Sequence, residues 1–440
     1  MIKYHEYKDS HLPWINEIPN EWIKSKLKYY SNVITGNTPL TSVEEYFSYE
    51  EGTPWIKPSD LKEFSEINSS KQYLTDFGLK QSRLVRKGSV LIGGIGDIGK
   101  LGFAGCDLTT NQQIHSIEGN PNKIDDDFLK YLLFISIAEL QKKSSSVVLS
   151  ILTKTKLLDL DIIVPPINTQ RKISLYINYQ LEIIDEIVKK KQKIIELFKD
   201  KSQAIVNEAI TKGVNPNVKM KNSNIKFLDE IPEHWSVKKL SRNTYMKGRI
   251  GWQGLKHEEF TEVGPYLITG MNFKDGVIRW NEVYHITEER YNEAPEIKLR
   301  LNDVLMTKDG TIGKLLFINE LPGKASLNSH LLVLRPTDNS YLPKFLYYQL
   351  MSEMFYVHIE LNKTGTTFYG ITQEAVGRFK MVLPPLNEQE LIVKHIDESL
   401  SRLNTLKLKV TSQIEKLKEF RKSIIYEAVT GKFDLENWTH

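Results

Sequence analysis

Gly94-Ile95-Gly96-Asp97-Ile98-Gly99 satisfies the GxGxxG spacing, in which glycines let a pyrophosphate approach a helix N-terminus. Asp76-Phe77-Gly78 matches the metal-holding triplet of protein kinases, without a catalytic-loop His-Arg-Asp or a phosphate-binding Gly-Lys-Ser elsewhere. No His-Glu-x-x-His occurs, and Cys106 is the only cysteine, so a cysteine-rich metal site and disulfides are excluded. The pairs Pro165-Pro166 and Pro384-Pro385 follow Val164 and Leu383. They lack the polar residue that would hold an amino group in the Asn-Pro-Pro-Tyr or Asp-Pro-Pro-Tyr motif of an adenine methyltransferase. Catalytic residue types are present singly and never as a working set. What remains is a supply of Asn, Gln, Ser, Thr, Lys and Arg in turns, the chemistry of hydrogen-bonded recognition.

The elements that must position such residues follow from length and repetition. A chain of 440 residues exceeds one ordinary core, and about 100 to 200 residues per domain gives two to four units. Its 40% hydrophobic and 26% charged residues suit a globular protein, and no run approaches the roughly 18 apolar residues of a membrane span. The N-terminus MIKYHEYKDSHLPW has no apolar core of the kind a secretory signal needs, so a cytoplasmic location is expected. The net charge of +4 permits a phosphate-binding face without demanding one.

The chain is written twice. Ile18-Pro19-Asn20-Glu21-Trp22 returns as Ile231-Pro232-Glu233-His234-Trp235, each followed by a Lys-Leu pair, Lys26-Leu27 and Lys239-Leu240. Ser89-Val90-Leu91 matches Asp303-Val304-Leu305, and Gly96 to Lys100 matches Gly310 to Lys314. Phe128-Leu129-Lys130-Tyr131 matches Phe345-Leu346-Tyr347-Tyr348. Val164-Pro165-Pro166-Ile167-Asn168 matches Leu383-Pro384-Pro385-Leu386-Asn387, and Glu208-Ala209-Ile210-Thr211 matches Glu427-Ala428-Val429-Thr430. Repeats outrank local motifs. In this alignment Gly94 faces Lys308, so the second copy lacks GxGxxG and keeps only a Gly-x-x-Gly-Lys turn after a strand.

Each half begins as a mixed α/β globule, with strand-like runs such as Ser89 to Ile92 and Leu331 to Leu334 between turns. Apolar residues at helical spacing predict one helix in each, Phe128 to Leu140 and Phe345 to Tyr356. After Pro-Pro come long runs free of Gly and Pro, 168–212 and 387–430, which predict long helices stopped by Gly213 and Gly431. In the second, Ile396, Leu403, Val410, Leu417 and Ile424 recur every seven residues, with Ile392, Leu406 and Phe420 flanking the seam. The first has Ile177, Ile184, Lys191, Phe198 and Ile205 in those places, flanked by Ile173, Ile187 and Ile194. On such a helix Lys189-Lys190-Lys191 reads as a solvated face. The order globule, helix, globule, helix predicts antiparallel rods with nonidentical globules at opposite ends, an arrangement that imitates a two-fold dimer on duplex DNA and reads an asymmetric, interrupted site.

The pattern resembles the specificity subunits of type I restriction-modification systems over essentially the whole chain. The Ile-Pro-x-x-Trp openings carry it together with the helix starts, Pro-Pro-Ile-Asn-Thr-Gln170 and Pro-Pro-Leu-Asn-Glu-Gln389, and the helix ends, Glu-Ala-Ile-Thr and Glu-Ala-Val-Thr. Thr169 departs from the pattern where the second copy has Glu388. The resemblance implies an α+β fold: target-recognition domains at 1–166 and 214–385, and conserved antiparallel helices at 167–213 and 386–440. It implies double-stranded DNA as ligand, with the helices docking two modification subunits and restriction subunits joining them. It implies no catalytic residue and no cofactor in this chain, while S-adenosylmethionine, ATP and Mg2+ serve the partners in adenine methylation and cleavage.

Base edges are read by Arg, Lys, Asn, Gln, Ser and Thr, so the expected contacts lie on globule loops. In half one they are Thr35, Gly36, Asn37, Thr38, Lys57, Ser59, Asp60, Lys100, Asn111, Gln112, Gln113, Ser144, Ser145, Ser146 and Lys154. In half two they are Lys247, Arg249, Trp252, Thr269, Asn272, Lys308, Lys314, Asn328, His330, Lys363, Thr364, Thr366, Thr367 and Tyr369. Two rival readings remain: an enzyme with its own nuclease or methyltransferase site, and a coiled-coil scaffold that joins proteins without reading DNA.

Overall fold

The computed structural model describes residues 3–62, 64–96, 98–144, 150–249, 259–273, 276–365 and 369–439. They fold as two compact units, Met1–Lys191 with Ser412–His440, and Gln192–Thr411. The boundaries at 166, 213 and 385 follow element type, whereas the compact units cut through both long helices.

The helix ends account for this division. The long helices span Ile167–Lys212 and Leu386–Val429, close to the predicted runs. Gly213 and Gly431 follow them in the left-handed conformation, φ 77° and 70°. A Cβ on Gly213 would meet the Trp235 ring at 3.1 Å, and one on Gly431 would meet Pro19 at 2.6 Å. Each helix thus ends against the Ile-Pro-x-x-Trp motif of the other half, and Trp22 and Trp235 are both buried there. Each compact unit therefore takes its globule from one half and a helix end from the other.

Within the first unit the helix segments run antiparallel, because Asp185 pairs with Arg421 at 2.7 Å while Lys191 Nζ donates to Gln413 Oε1 at 2.7 Å. The lysine at the seam is thus hydrogen-bonded across it. Ile177, Ile184, Ile396 and Ile424 are buried, and Phe198, Ile205, Leu403, Val410 and Leu417 are half-buried. The expected flanks need correction. Ile173 and Ile392 are buried, but Ile187, Ile194, Leu406 and Phe420 are 37%, 39%, 45% and 54% exposed. The second seam row consists of Leu181, Val188, Ile195 and Ile414, four residues after the first row, because packing two helices buries only a narrow stripe of alternating three and four spacing.

In half one a five-stranded sheet has the order Ser31–Thr35, Ile114–Gly119, Val90–Gly93, Leu101–Ala104, Ser65–Ile67. A second sheet is built around Thr53–Ile56 and Leu108–Thr110. Half two has a four-stranded sheet, Thr244–Lys247, Leu331–Pro336, Val304–Thr307, Leu315–Phe317, and a three-stranded one centred on Thr261–Ile268. The single helix predicted in each globule is two helices, Asp126–Ile135 with Ile137–Ser144, and Pro343–Leu350 with Glu353–Asn362. The breaks fall at serines. Ser136 Oγ donates to the Leu132 carbonyl at 2.7 Å, and Ser352 Oγ accepts from the Phe355 N–H at 3.2 Å, so a side chain competes with the helix ladder.

The glutamines of the Pro-Pro motifs join each globule to its helix. Gln170 Nε2 donates to the Pro165 and Lys123 carbonyls, and its Oε1 accepts from the Asp125 N–H at 2.9 Å. Gln389 repeats this with Pro384, Ser340 and Leu342. A side-chain amide suits this place because its NH2 offers two donors and its carbonyl an acceptor. The departure at Thr169 also has a physical counterpart, because Glu388 accepts from Trp235 Nε1 at 2.9 Å and pairs with His234 at 2.6 Å, contacts for which the first copy has Glu21 in place of His234.

Candidate nucleic-acid interface

The Gly94 turn joins two strands of a hairpin, Val90–Gly93 and Leu101–Ala104, so among the described residues no helix N-terminus lies there to receive a phosphate. The turn instead ties three loops together. The Gly94 N–H donates to the Gln113 carbonyl at 2.7 Å, the Gly94 carbonyl accepts from the Leu152 N–H at 2.9 Å, and the Gly96 N–H reaches Ser150 at 3.3 Å. Half two builds the same frame from other residues. Lys308 N–H donates to His330 at 2.9 Å, Ile371 N–H to Lys308 at 2.9 Å, and Gly310 N–H to Tyr369 at 3.0 Å. A fourth bond joins the second sheet, Asn111 N–H to Ile56 and Asn328 N–H to Ile268, both 3.0 Å. Gly94 is a glycine because a Cβ would meet His115 Nε2 at 2.9 Å, and half two has Leu332 in place of that histidine.

Around the half-one frame the predicted residues converge. Asn37 Nδ2 donates to the Gln81 carbonyl at 2.7 Å, its Oδ1 accepts from Ser82 Oγ at 3.3 Å, and its carbonyl accepts from Trp55 Nε1 at 3.3 Å. Exposed Thr38 bonds Gln112, and half-buried Gln113 accepts from Asn111 Nδ2 at 3.1 Å. Lys57 Nζ lies 4.5 Å over the Trp55 ring and donates to Gln72 Oε1 at 2.9 Å. Asp60 accepts from the Lys57 N–H, which fixes the turn that exposes Ser59. Lys100 and Lys154 are exposed at the rims. Thr35 is held inward, its hydroxyl 2.9 Å from His115 Nδ1. Gly36 is buried against the Thr110 and Asn111 carbonyls.

In half two, Asp309 Oδ2 lies 3.3 Å from His330 Nδ1 and 4.0 Å from Lys308 Nζ. Lys363 Nζ sits 4.8 Å over the Tyr369 ring, and Thr364 and Gly370 exchange two backbone bonds of 2.9 Å. Lys247 and Lys314 are exposed, Asn328 is half-buried, and Asn272 caps its turn by accepting from the Thr269 N–H at 2.7 Å.

Several expected contacts lie beneath this surface. Arg249 is 2% exposed, with Nε donating to the Leu327 carbonyl at 2.9 Å and Nη2 to Ser326 Oγ at 3.2 Å. Burial pushes its pKa down. Asn111, Ser144 and Thr269 are also buried and hold loops in place. Ser145, Ser146, Trp252, Thr366 and Thr367 lie outside the described residues. Sequence reasoning missed Gln72, Gln81, Ser82, Arg83 and Asp309, of which Arg83 donates to the Thr35 carbonyl at 2.7 Å. Their signal was present as a polar cluster, Gln81-Ser82-Arg83, that opens no repeat motif.

Two copies of one loop frame, carrying different side chains on mixed α/β domains with long helices, define a duplicated recognition protein. A profile of the type I restriction modification DNA specificity domain matches residues 19–197 and 252–416, and the chain belongs to this family, the specificity subunits that recognise DNA in type I restriction-modification systems. It is 25% identical over 430 residues to the MjaVIII specificity subunit of Methanocaldococcus jannaschii, spanning 96% of this chain and 95% of that one. With the EcoBI specificity subunit of Escherichia coli it shares 21% over 423 residues, 94% and 87% of the two chains. The fold matches a chain from a structure of complex assembly and conformational transition of the type I R-M system, with TM-score 0.68, 18% identity and 94% and 99% coverage. It also matches the HsdS subunit of Thermoanaerobacter tengcongensis, with TM-score 0.51, 18% identity and 94% and 98% coverage. No helix among the described residues is long and apolar enough to cross a membrane.

Proposed function

We propose that this chain selects the DNA site of a type I restriction-modification complex by reading an asymmetric sequence in two parts, one with the domain at 1–166 and one with that at 214–385. The supporting observation is the repeated frame in which Gly94, Gln113 and Ser150 give way to Lys308, His330 and Tyr369. A reader of bases needs a constant backbone to set register and variable side chains to choose partners, and two sets of tips imply two different half-sites. The helices at 167–213 and 386–440 dock two modification subunits, to which restriction subunits are added. The chain itself is non-catalytic and holds no cofactor; S-adenosylmethionine, ATP and Mg2+ serve the partners in the cytoplasm.

The test combines purified chain with methylome sequencing of cells that carry the cognate modification subunit. Duplex binding is expected to be specific and to weaken steeply with salt as phosphate contacts release counterions. Joint replacement of Lys308, His330 and Tyr369 by alanine is expected to relax or change one half of the methylated motif and leave the other intact. An unchanged motif sinks the proposal. Methyl transfer by the isolated chain would favour an enzyme, and equal binding to every duplex in the presence of the modification subunit would favour a scaffold.

A further inference from the structure

The two halves differ at one position beyond a turn that both contain. In half one, four residues beyond Asp60 at the end of the Pro58–Asp60 turn, stands Phe64 with φ 48°. Its ring centre lies 4.4 Å from that of Phe134, 5.6 Å from Tyr131 and 5.8 Å from Phe103, and the Arg421 guanidinium is 6.0 Å away. In half two the same count from Asn272, which ends the equivalent Gly270–Asn272 turn, reaches Gly276 with φ 72°. A Cβ there would meet nothing within 4 Å. Half two has the turn but no ring.

The seat of that ring stands open. Leu101 and Phe134, beside Phe64, correspond to Leu315 and Met351. In the second unit these two line a groove of about 700 Å³ with Ile312, Tyr347, Leu350 and Phe355. Its rim carries the exposed carboxylates Asp200 and Glu353, and no lysine or arginine among the described residues pairs with either. In the first unit the equivalent seat has a ring with a cation over it. In the second, Gly276 stands where Phe64 would be and Ser202 where Arg421 would be, so neither the ring nor the cation of the first unit is repeated.

We infer that this groove receives an aromatic side chain of the modification subunit, presented beside a lysine or arginine. The inference rests on the docking role proposed above and adds where one grip lies and what it holds. Aromatic anchors seated in apolar pockets dominate protein interfaces, and a flanking cation would complement the two carboxylates at the rim. The repeat supplies the template, because the same frame in half one holds Phe64 beneath Arg421. The two halves therefore offer unequal docking surfaces.

The experiment uses the full chain reconstituted with its cognate modification subunit. Tyr356 lines the groove and is 63% exposed, so p-benzoylphenylalanine placed there can crosslink whatever enters. Adducts are expected on a modification-subunit peptide with an aromatic residue next to Lys or Arg. Two variants fill the seat: Gly276→Phe, for which Phe64 shows that the turn accepts an aromatic side chain, and Ala204→Trp on the helix wall. Each is expected to weaken capture of the modification subunit by roughly tenfold, whereas Gly276→Ala, which carries the same positive-φ strain without a ring, is expected to keep full capture. Adducts confined to a second copy of this chain, no adduct in an assembled complex, or full-strength capture by both filled variants overturns the inference while the docking role stands. Failure of the wild-type chain to bind the modification subunit at all overturns both.

Discussion

His115 anchors the half-one loops from below. The Leu152 carbonyl, 2.7 Å from Nε2, can only accept, so Nε2 carries the proton and Nδ1 accepts from the Thr35 hydroxyl at 2.9 Å. Burial holds its pKa below the ordinary value of 6.5, and the Lys154 charge adds to this while the Leu152 carbonyl opposes it. The folded chain therefore resists a proton that the unfolded chain accepts. The associated stability is present above about pH 6.5 and is lost as pH falls towards the lower folded value. Thermal unfolding from pH 7.5 to 5 is expected to show a falling midpoint, and His115→Gln, which keeps a donor for Leu152, should flatten part of the fall. A slope identical to wild type would remove His115 from this role. His358, half-buried and bonded to the Ala375 carbonyl at 2.8 Å, keeps a share of the acid response in half two. The same scale marks the limit of reading the site from sequence. Residue type located Asn37, Gln113, Lys308 and His330 on converging loops, but Arg249, Asn111 and Thr269 carry the same chemistry and point inward. Which way a polar turn residue faces depends on hydrogen bonds to residues far along the chain, such as Arg249 Nη2 to Ser326 Oγ and the Asn111 N–H to the Ile56 carbonyl, and local spacing does not encode them.

At the scale of elements, the repeated motifs are joints between globule and helix. Gln389 is fully buried and serves two carbonyls and one N–H. Gln389→Leu fits a similar volume but leaves three backbone groups unpaired, each costing about 1 to 3 kcal/mol where water cannot reach. A loss of at least about 3 kcal/mol is expected from denaturant unfolding. Gln389→Glu should be milder at low pH, where a protonated carboxyl both donates and accepts. A variant as stable as wild type would show that water replaces the amide. These joints explain which parts of the fold were legible. Helix limits at Gly213 and Gly431 were readable because Pro, Gly and heptad spacing are local signals. The outer seam row was misassigned, since Ile187 and Phe420 are as apolar as Val188 and Ile414 and only the packing of two helices separates them. The helix breaks at Ser136 and Ser352 escaped notice because serine fits inside an amphipathic pattern until its hydroxyl takes a backbone partner.

For the whole molecule, the long helices are candidates for the ruler between half-sites. Each runs without interruption for 46 or 44 residues, and an α-helix rises about 1.5 Å per residue. Four residues added to one helix alone would break the antiparallel register fixed by Asp185 with Arg421 and Lys191 with Gln413. Four added to both, at facing positions, keep it and lengthen the pair by about 6 Å, with a residual rotation of about 40° beyond a full turn. Since DNA advances about 3.4 Å per base pair, the gap in the recognised site should grow by about two base pairs while both half-sites stay the same. The small rotation matters less than the length, because two added base pairs themselves turn the duplex and the globule must follow the groove it reads. Methylome sequencing of cells carrying the lengthened chain measures the gap directly. A motif with the original gap would separate recognition from helix length, leaving the rods to docking alone, whereas altered half-sites would mean that the insertion had disturbed the loop frames it was designed to leave untouched.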